Sequence, residues 1–581
     1  MLRKLLIGVA VAAIGVSVAV SAATGGSRQG KVTSSLLLPG VTYTREVDFT
    51  SRGPIVLDVV TTPKPDGTLY SLSPALSNNA LHGTEPLTRL DSRVAGNATT
   101  VAINGDYFDR ATGAPNGMLL RNGVLESPPG TGRSSLGIAT DGTLTTGRIS
   151  FAGIWQGKGQ RRALTLNTPA KTGKFTLYTP VYGPTTPREP GVVEAVIGKL
   201  PAAELDTPLD GTVSLVTTAG GARIPPGGAV LVARGPQSTA QLRAEAPVGQ
   251  KLEVVLSLSP DWSSLGSAIG GGPLLVRNGK PIFHTGESFA PRQLNGRQAR
   301  GAIGQLPDGR VVLVSVEGTK PSYSIGMSNY ELAVELSRLG VTTAFGLGAG
   351  SASGLAFDGK LLTRPANGIT PKVSDALVLS YSGVYAAPPA VDVLSPNGDG
   401  VADTETLAYR VTRPSHLIAT LAGPGGARVT LANGPTTPGL HALGWNGTVG
   451  GSPAPEGKWT FTVTGTDDRN VATTAQRTFS LDDTLSSLAV VGVRAHRSAT
   501  ASYRLTRPAA ILVQIQRPNG VAVATLRSGT QPAGQERVTW HGKIGRRRAP
   551  SGRYQLAVQA TSSIGTSSLA APFSWRGHKR H

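Results

Sequence analysis

Four kinds of side chain in this sequence could act together on a charged ligand: the carboxylates Asp106 and Glu317, the guanidinium of Arg300, the amide of Asn104, and the hydroxyls of Ser351 and Ser353. A carboxylate can move a proton or face a developing positive charge, and a guanidinium can grip an anion through two parallel hydrogen bonds. A run such as Gly270-Gly271-Gly272 lets backbone amides approach an anion closely. Taken one at a time, each has a plainer reading. Asn104-Gly105-Asp106 is a common turn, the triple glycine a bend or bulge, Arg300 a solvated or surface-paired cation, and Glu317-Gly318 the end of a strand.

The elements that must position these residues are legible around them. Val311 to Val316 is an apolar run suited to a buried strand. Ser328-Asn329-Tyr330-Glu331 reads as a capping box, followed by Leu332, Ala333, Leu336 and Leu339 on one helical face and Gly340 as a stop. Thr343 to Leu347 is a second short strand, so the loop starting at Gly348 follows a strand, helix, strand unit, where a site is expected.

The N-terminus has the charged, apolar and small-residue order of a secretory signal, predicted over 1–23. Its apolar run, Leu5 to Val20, is shorter than the roughly 20 residues that span a bilayer, so no membrane span is expected after cleavage. The absence of cysteine excludes disulfides, thiol catalysis and Cys-ligated zinc. No Gly-Lys-Ser phosphate loop, zinc-binding His pair or Gly-x-Ser-x-Gly elbow occurs. The formal charge of +21 fits either a solvated basic surface or a polyanionic partner. The dense basic runs are Arg546-Arg547-Arg548 and the tail from Arg576, and no nucleic-acid fold signature accompanies them, so nucleic acid is not expected.

A repeat stands near the C-terminus. Tyr409-Arg410-Val411-Thr412-Arg413-Pro414 recurs as Tyr503-Arg504-Leu505-Thr506-Arg507-Pro508, Trp445-Asn446-Gly447 as Trp540-His541-Gly542, and Gly457-Lys458-Trp459 as Gly552-Arg553-Tyr554. The spacing of 94 to 95 residues is that of one small β-sandwich, so two in tandem are predicted. They resemble the immunoglobulin-like domain of flagellar hook-assembly (FlgD-like) proteins, which the opening Ser395-Pro396-Asn397-Gly398-Asp399-Gly400 and the Gly444-Trp445-Asn446-Gly447 turn carry. Such modules end exported bacterial proteins, which implies a secreted or cell-surface location. Asn397, Asp399 and Asp403 place three oxygen ligands within seven residues and could hold calcium, although a Gly-rich turn stabilised by Asn and Asp side chains is the simpler account.

Upstream, an ordered series resembles the phosphodiester glycosidase family: Ala102-Ile103-Asn104-Gly105-Asp106-Tyr107-Phe108-Asp109, Arg133-Ser134-Ser135-Leu136-Gly137, Ala268 to Leu275, Arg300-Gly301-Ala302-Ile303-Gly304, Val316-Glu317-Gly318, and Ser374-Asp375-Ala376-Leu377. The resemblance implies cleavage of a sugar 1-phosphodiester, in a soluble ligand or an anionic cell-surface glycopolymer. It implies Asp106, Glu317 and Arg300 as catalytic, with Arg300 receiving phosphate, and Asn104, Gly271, Gly272, Ser351 and Ser353 as substrate-binding. Gly348 stands where the family carries Asp in a Leu-Asp-Gly-Gly motif, so the alternative expectation is a homologue that binds without turnover, and Gly348→Asp is expected to restore rate. The predicted architecture is multidomain: an α+β phosphodiester-glycosidase-like domain over 34–386 with an insertion or subdomain at 150–262, then two all-β immunoglobulin-like sandwiches at 388–484 and 485–576 and a basic tail at 577–581.

Overall fold

The computed structural model describes residues 30–283, 286–365, 368–398, 400, 402–494 and 497–577. The predicted signal segment, His284, Asp399 and most of the basic tail lie outside them. The chain is multidomain and mostly β, with 54% of residues in strands and 9% in helices, so the α+β expectation gives way to a strand-dominated fold. The predicted helix did form, as Asn329–Arg338, with Ser328 Oγ accepting the Glu331 amide and Glu331 Oε2 accepting the Ser328 amide. Few other segments carry helical periodicity, and among the described residues only three further α-helices occur.

An antiparallel sheet of eight strands organises the N-terminal part, with Lys31–Leu38, Val41–Thr50, Gly53–Thr62, Val311–Val316, Arg300–Gln305, Thr343–Ala349, Leu274–Arg277 and Lys280–Pro281 as neighbours in that order. The run Val311–Val316 is buried throughout, as a central strand covered on both faces should be. It and Thr343–Ala349 flank Arg300–Gln305, so the strand, helix, strand unit skips one position in the sheet. A second sheet places Thr99–Asn104 between Leu355–Phe357 and Asp375–Tyr381. Leu377, Ile103 and Leu355 of that sheet share one core with Ile303, Leu313 and Phe345 of the first. The expected start at 34 falls inside strand Lys31–Leu38, whose pairing with Val41–Thr50 begins at Lys31.

The segment expected as an insertion holds a closed seven-stranded barrel running from Ser150–Gln156 to Lys251–Ser259. Its interior is filled by residues such as Trp155, Leu177, Leu231 and Val254, so it is a packed core rather than a channel.

The C-terminal repeat is a repeat of packing as well as of sequence. In the first unit Trp445 lies 4.6 Å from Trp459, and its indole N–H donates to the Thr448 carbonyl at 2.9 Å. In the second, Trp540 lies 5.3 Å from Tyr554 and donates to Lys543 at 2.8 Å. Trp459 and Tyr554 both donate to a proline carbonyl four residues earlier, of Pro455 and Pro550, at 3.0 Å. Each unit encloses its own core between two sheets. The boundary at 386 shifts slightly, because Tyr385–Ala386 already pairs with Tyr409 and Arg410 of the first unit. That unit is fastened to the N-terminal part by Arg410, paired with Asp358 at 2.5 Å and donating to the Ala98 carbonyl.

Candidate functional site

Asn104 and Asp106 end the strand Thr99–Asn104 and its following turn, and both are buried, at 1% and 3% exposure. Asn104 is spent on its neighbours. Its Nδ2 donates to the Gly348 carbonyl at 2.9 Å and its Oδ1 accepts the Gly354 amide at 3.1 Å. The expected substrate-orienting side chain is therefore a clamp on the loop 348–354. Ser353 joins the same clamp, donating to the Gly348 carbonyl at 3.1 Å, whereas Ser351 is exposed.

Asp106 forms a pair that spacing alone does not reveal. Asp375 Oδ1 accepts the Asp106 amide at 2.8 Å, and Asp106 Oδ1 accepts the Tyr107 amide at 2.6 Å. The other oxygen of each carboxyl is buried and has no hydrogen-bond partner among the described residues. Burial first, then the neighbouring Asp375 charge, raises Asp106 well above the carboxylate range, against the pull of Arg133. Burial likewise raises Asp375. A carboxyl in this state holds a proton near neutral pH, as an acid–base group requires. Glycines make the room: a Cβ on Gly270 or Gly117 would stand 2.5 or 2.9 Å from Asp106 Oδ2. Asp375 lies in the motif Ser374-Asp375-Ala376-Leu377, but its role depends on a contact 269 residues distant in sequence.

Arg300 is 1% exposed. Its Nε donates to the Met327 carbonyl at 3.0 Å and Nη2 to that of Gly296 at 2.7 Å, and the Gln298 side-chain oxygen can face both Nη atoms at 3.3 Å. All these acceptors are neutral, and no carboxylate of the described residues lies within ion-pair distance of its charge. Burial lowers its pKa and the nearby Tyr107 opposes that. Arg133, missed as a site residue, is the more available cation. It is half-buried over two adjacent rings, 4.4 Å from the Phe289 centroid and 5.3 Å from that of Tyr107, the two centroids lying 5.6 Å apart, and its buried Nη1 has no acceptor among the described residues. The signal was present in the motif starting at Arg133, but nothing in the sequence says that Tyr107 and Phe289 stack on it.

The expected amide cradle is largely used internally. The Gly272 amide donates to the Gly346 carbonyl at 2.8 Å and the Gly270 amide to that of Met118. Gly271, at φ 149°, packs against Phe345 and the Gly346 carbonyl, and Gly272, at φ 96°, against Glu287. Glu287 accepts the Ser134 and Leu274 amides, each at 2.8 Å, and so ties the Arg133 loop to this turn.

Glu317 belongs to a different network. Its Oε1 accepts Arg45 Nη1 at 3.0 Å and the Arg364 amide at 2.7 Å, and Arg45 also pairs with buried Asp58 at 2.8 Å. Burial, then the Glu317 charge, pushes Asp58 up to about 8, against the Tyr43 hydrogen bond and Arg45. No hydrogen bond or ion pair runs directly between Glu317 and Asn104, Asp106 or Arg300 among the described residues. Gly348 itself has no space for the expected acid, since a Cβ would stand 2.8 Å from the Asp106 carbonyl oxygen and 3.1 Å from that of Gly105. At the proposed calcium turn, Asp403 accepts the Gly398 and Gly400 amides at 2.7 and 2.6 Å, the bonding of a turn. Asp399 lies outside the described residues, and no group of three His, Cys, Asp or Glu among them could hold a metal ion.

Comparison with known proteins places this geometry in context. Residues 209–380 match the family model of phosphodiester glycosidase, and residues 492–563 that of the FlgD Ig-like domain. A SPbeta prophage-derived uncharacterized protein, YomE, of Bacillus subtilis (strain 168) is 34% identical over 110 residues, which are 19% of this chain and 17% of that protein. A hypothetical protein from Synechocystis has a crystal structure similar at a TM-score of 0.51 and 26% identity, covering 60% of this chain and 64% of that one. The catalytic domain of zebrafish N-acetylglucosamine-1-phosphodiester alpha-N-acetylglucosaminidase, auto-inhibited by its pro-peptide, aligns at 13% identity and a TM-score of 0.32, over 62% of this chain and 84% of that one. The chain thus spans about a sixth of YomE and less than two thirds of the Synechocystis structure. No helix among the described residues is long and apolar enough to cross a membrane.

Proposed function

We propose that this chain, which resembles the phosphodiester glycosidases through 209–380 and the FlgD Ig-like domain through 492–563, is an exported hydrolase of sugar 1-phosphodiesters. Both C-terminal units then act as FlgD-type sandwiches holding it at an anionic envelope glycopolymer. The observation that carries the reading is the proton-holding pair Asp106 and Asp375 beside Arg133, whose guanidinium has an unspent N–H.

In the reaction the bond between the sugar anomeric carbon and the phosphate oxygen breaks. Water supplies the hydroxyl to the sugar, and its remaining proton reaches the departing phosphomonoester or the solvent. Phosphate is a good leaving group, so stabilising charge matters more than strong acid assistance. Arg133, half-buried over Tyr107 and Phe289, receives the phosphate. Arg300, held beneath by neutral carbonyls, adds an uncompensated positive field. The Asp106–Asp375 pair lies under the turn and exchanges the proton.

A binding-only reading is favoured by two observations: Glu317 is committed to Arg45, and Gly348 carries no carboxylate. The two separate on a synthetic hexosamine 1-(methyl phosphate). Release of methyl phosphate that falls in Asp106→Asn supports hydrolysis. Ligand-induced thermal stabilisation without release supports binding alone.

A further inference from the structure

The two C-terminal units share a fold and a sequence repeat but not a charge. Residues 388–484 hold nine acidic and six basic side chains, whereas residues 485–577 hold thirteen lysines and arginines against a single acid, Glu536. Two of the thirteen are neutralised: Arg527 pairs with Glu536, and Arg507 pairs with Glu456 of the preceding unit. The other eleven have no carboxylate within ion-pair distance among the described residues. A packed sandwich needs no such excess, because self-repulsion opposes folding, so a charge that only one copy of the repeat carries points to a partner.

The excess is focused. Arg497, His541, Lys543 and Arg548 line one groove with Trp575 and Gly577, and the adjoining Arg546 and Arg547 are exposed. The indole N–H of Trp575 is buried there and has no acceptor among the described residues. Its counterpart residues in the first unit do not repeat the charge: Thr448 and Pro453 stand where the 95-residue spacing puts Lys543 and Arg548.

We propose that this groove of the last sandwich binds the phosphate backbone of a phosphodiester-linked glycopolymer. Guanidinium and ammonium groups lining one groove suit successive phosphates. The choice of a phosphodiester polymer among polyanions rests on the hydrolase reading of the N-terminal part, while the binding itself does not.

The test uses the full chain, with fluorescently labelled poly(glycerol phosphate) as the probe and Lys543→Glu/Arg548→Glu as the variant. Both side chains are exposed, so the variant should fold, with an unchanged circular dichroism spectrum and melting temperature. Arg546→Glu/Arg547→Glu is a second variant, at the tip of the same hairpin. The expected result is binding that weakens about ten-fold in each variant and falls steeply with salt. Hydrolysis of the small hexosamine 1-(methyl phosphate), which is too short to reach the groove, should be unchanged, so loss of polymer binding and loss of hydrolysis are read separately. Poly(glycerol phosphate) binding that both variants retain would overturn the proposal. So would tighter binding to duplex DNA, polygalacturonate or phosphatidylglycerol vesicles than to poly(glycerol phosphate).

Discussion

Asn104 holds Gly348 from across the fold: its Nδ2 reaches the Gly348 carbonyl at 2.9 Å while its Oδ1 takes the Gly354 amide at 3.1 Å, so one side chain closes both ends of a seven-residue loop. Removing it leaves the buried Gly354 amide unpaired and the Gly348 carbonyl with Ser353 Oγ alone. Asn104→Ala should therefore destabilise the N-terminal part by about 1–3 kcal/mol. Urea unfolding followed by tryptophan fluorescence measures this, and a change below about 0.5 kcal/mol would show that the loop is held by other means.

Gly348→Asp should not restore activity. Its Cβ would meet backbone, the Asp106 carbonyl oxygen at 2.8 Å, and backbone cannot swing aside as a side-chain terminus can. The expected outcome is a loss of about 1–3 kcal/mol with no gain in rate. A melting curve and the methyl phosphate release assay decide it together.

The carboxyl pair gives stability a definite pH dependence. Asp106 is pushed up to about 8 in the fold, above the roughly 3.9 of an unfolded aspartate, and Asp375 is raised too. The folded state therefore binds more protons than the unfolded chain. The contribution is fully present below about pH 4 and is lost as pH rises toward about 8. Asp375→Asn keeps an acceptor for the Asp106 amide and removes one titrating group, so its melting temperature should fall less than the parent's between about pH 5 and pH 8. Asp58, raised in the same direction, keeps a residual slope in both.

Arg133→Leu keeps apolar volume over Tyr107 and Phe289 but removes the charge. Turnover should drop by roughly 10²–10³ with little change in melting temperature. Arg133→Lys should recover only part of the rate, since an ammonium cannot offer two parallel donors. Equal rates in all three proteins would remove Arg133 from the reaction.

Arg45→Met should cost about 3 kcal/mol or more, because buried Asp58 and Glu317 would then face each other without the cation between them. Glu317→Gln should affect stability more than turnover. The comparison of kcat with unfolding free energy for that variant distinguishes a structural carboxylate from a catalytic one.

The sequence by itself determined the features that rest on local pattern or repetition. The strand Val311–Val316 and the capped helix Asn329–Arg338 follow from periodicity and a cap. The two tandem units follow from a repeat whose Trp445 and Trp540 take the same bond in each copy. Family resemblance through 209–380 was legible for a similar reason, as an ordered series of short motifs. The strand-dominated balance was less legible, because many of the strands are short and end on ordinary turn glycines. Only the tertiary structure decided which charges are already spent. Asn104 closes a loop, Glu317 is neutralised by Arg45, and Arg300 rests on carbonyls, while Asp106 meets Asp375 and Arg133 sits over two rings. These outcomes depend on contacts between residues far apart in the chain and on burial. A carboxylate's chemistry is set by its partners and its access to water, and neither is written in its neighbours along the sequence.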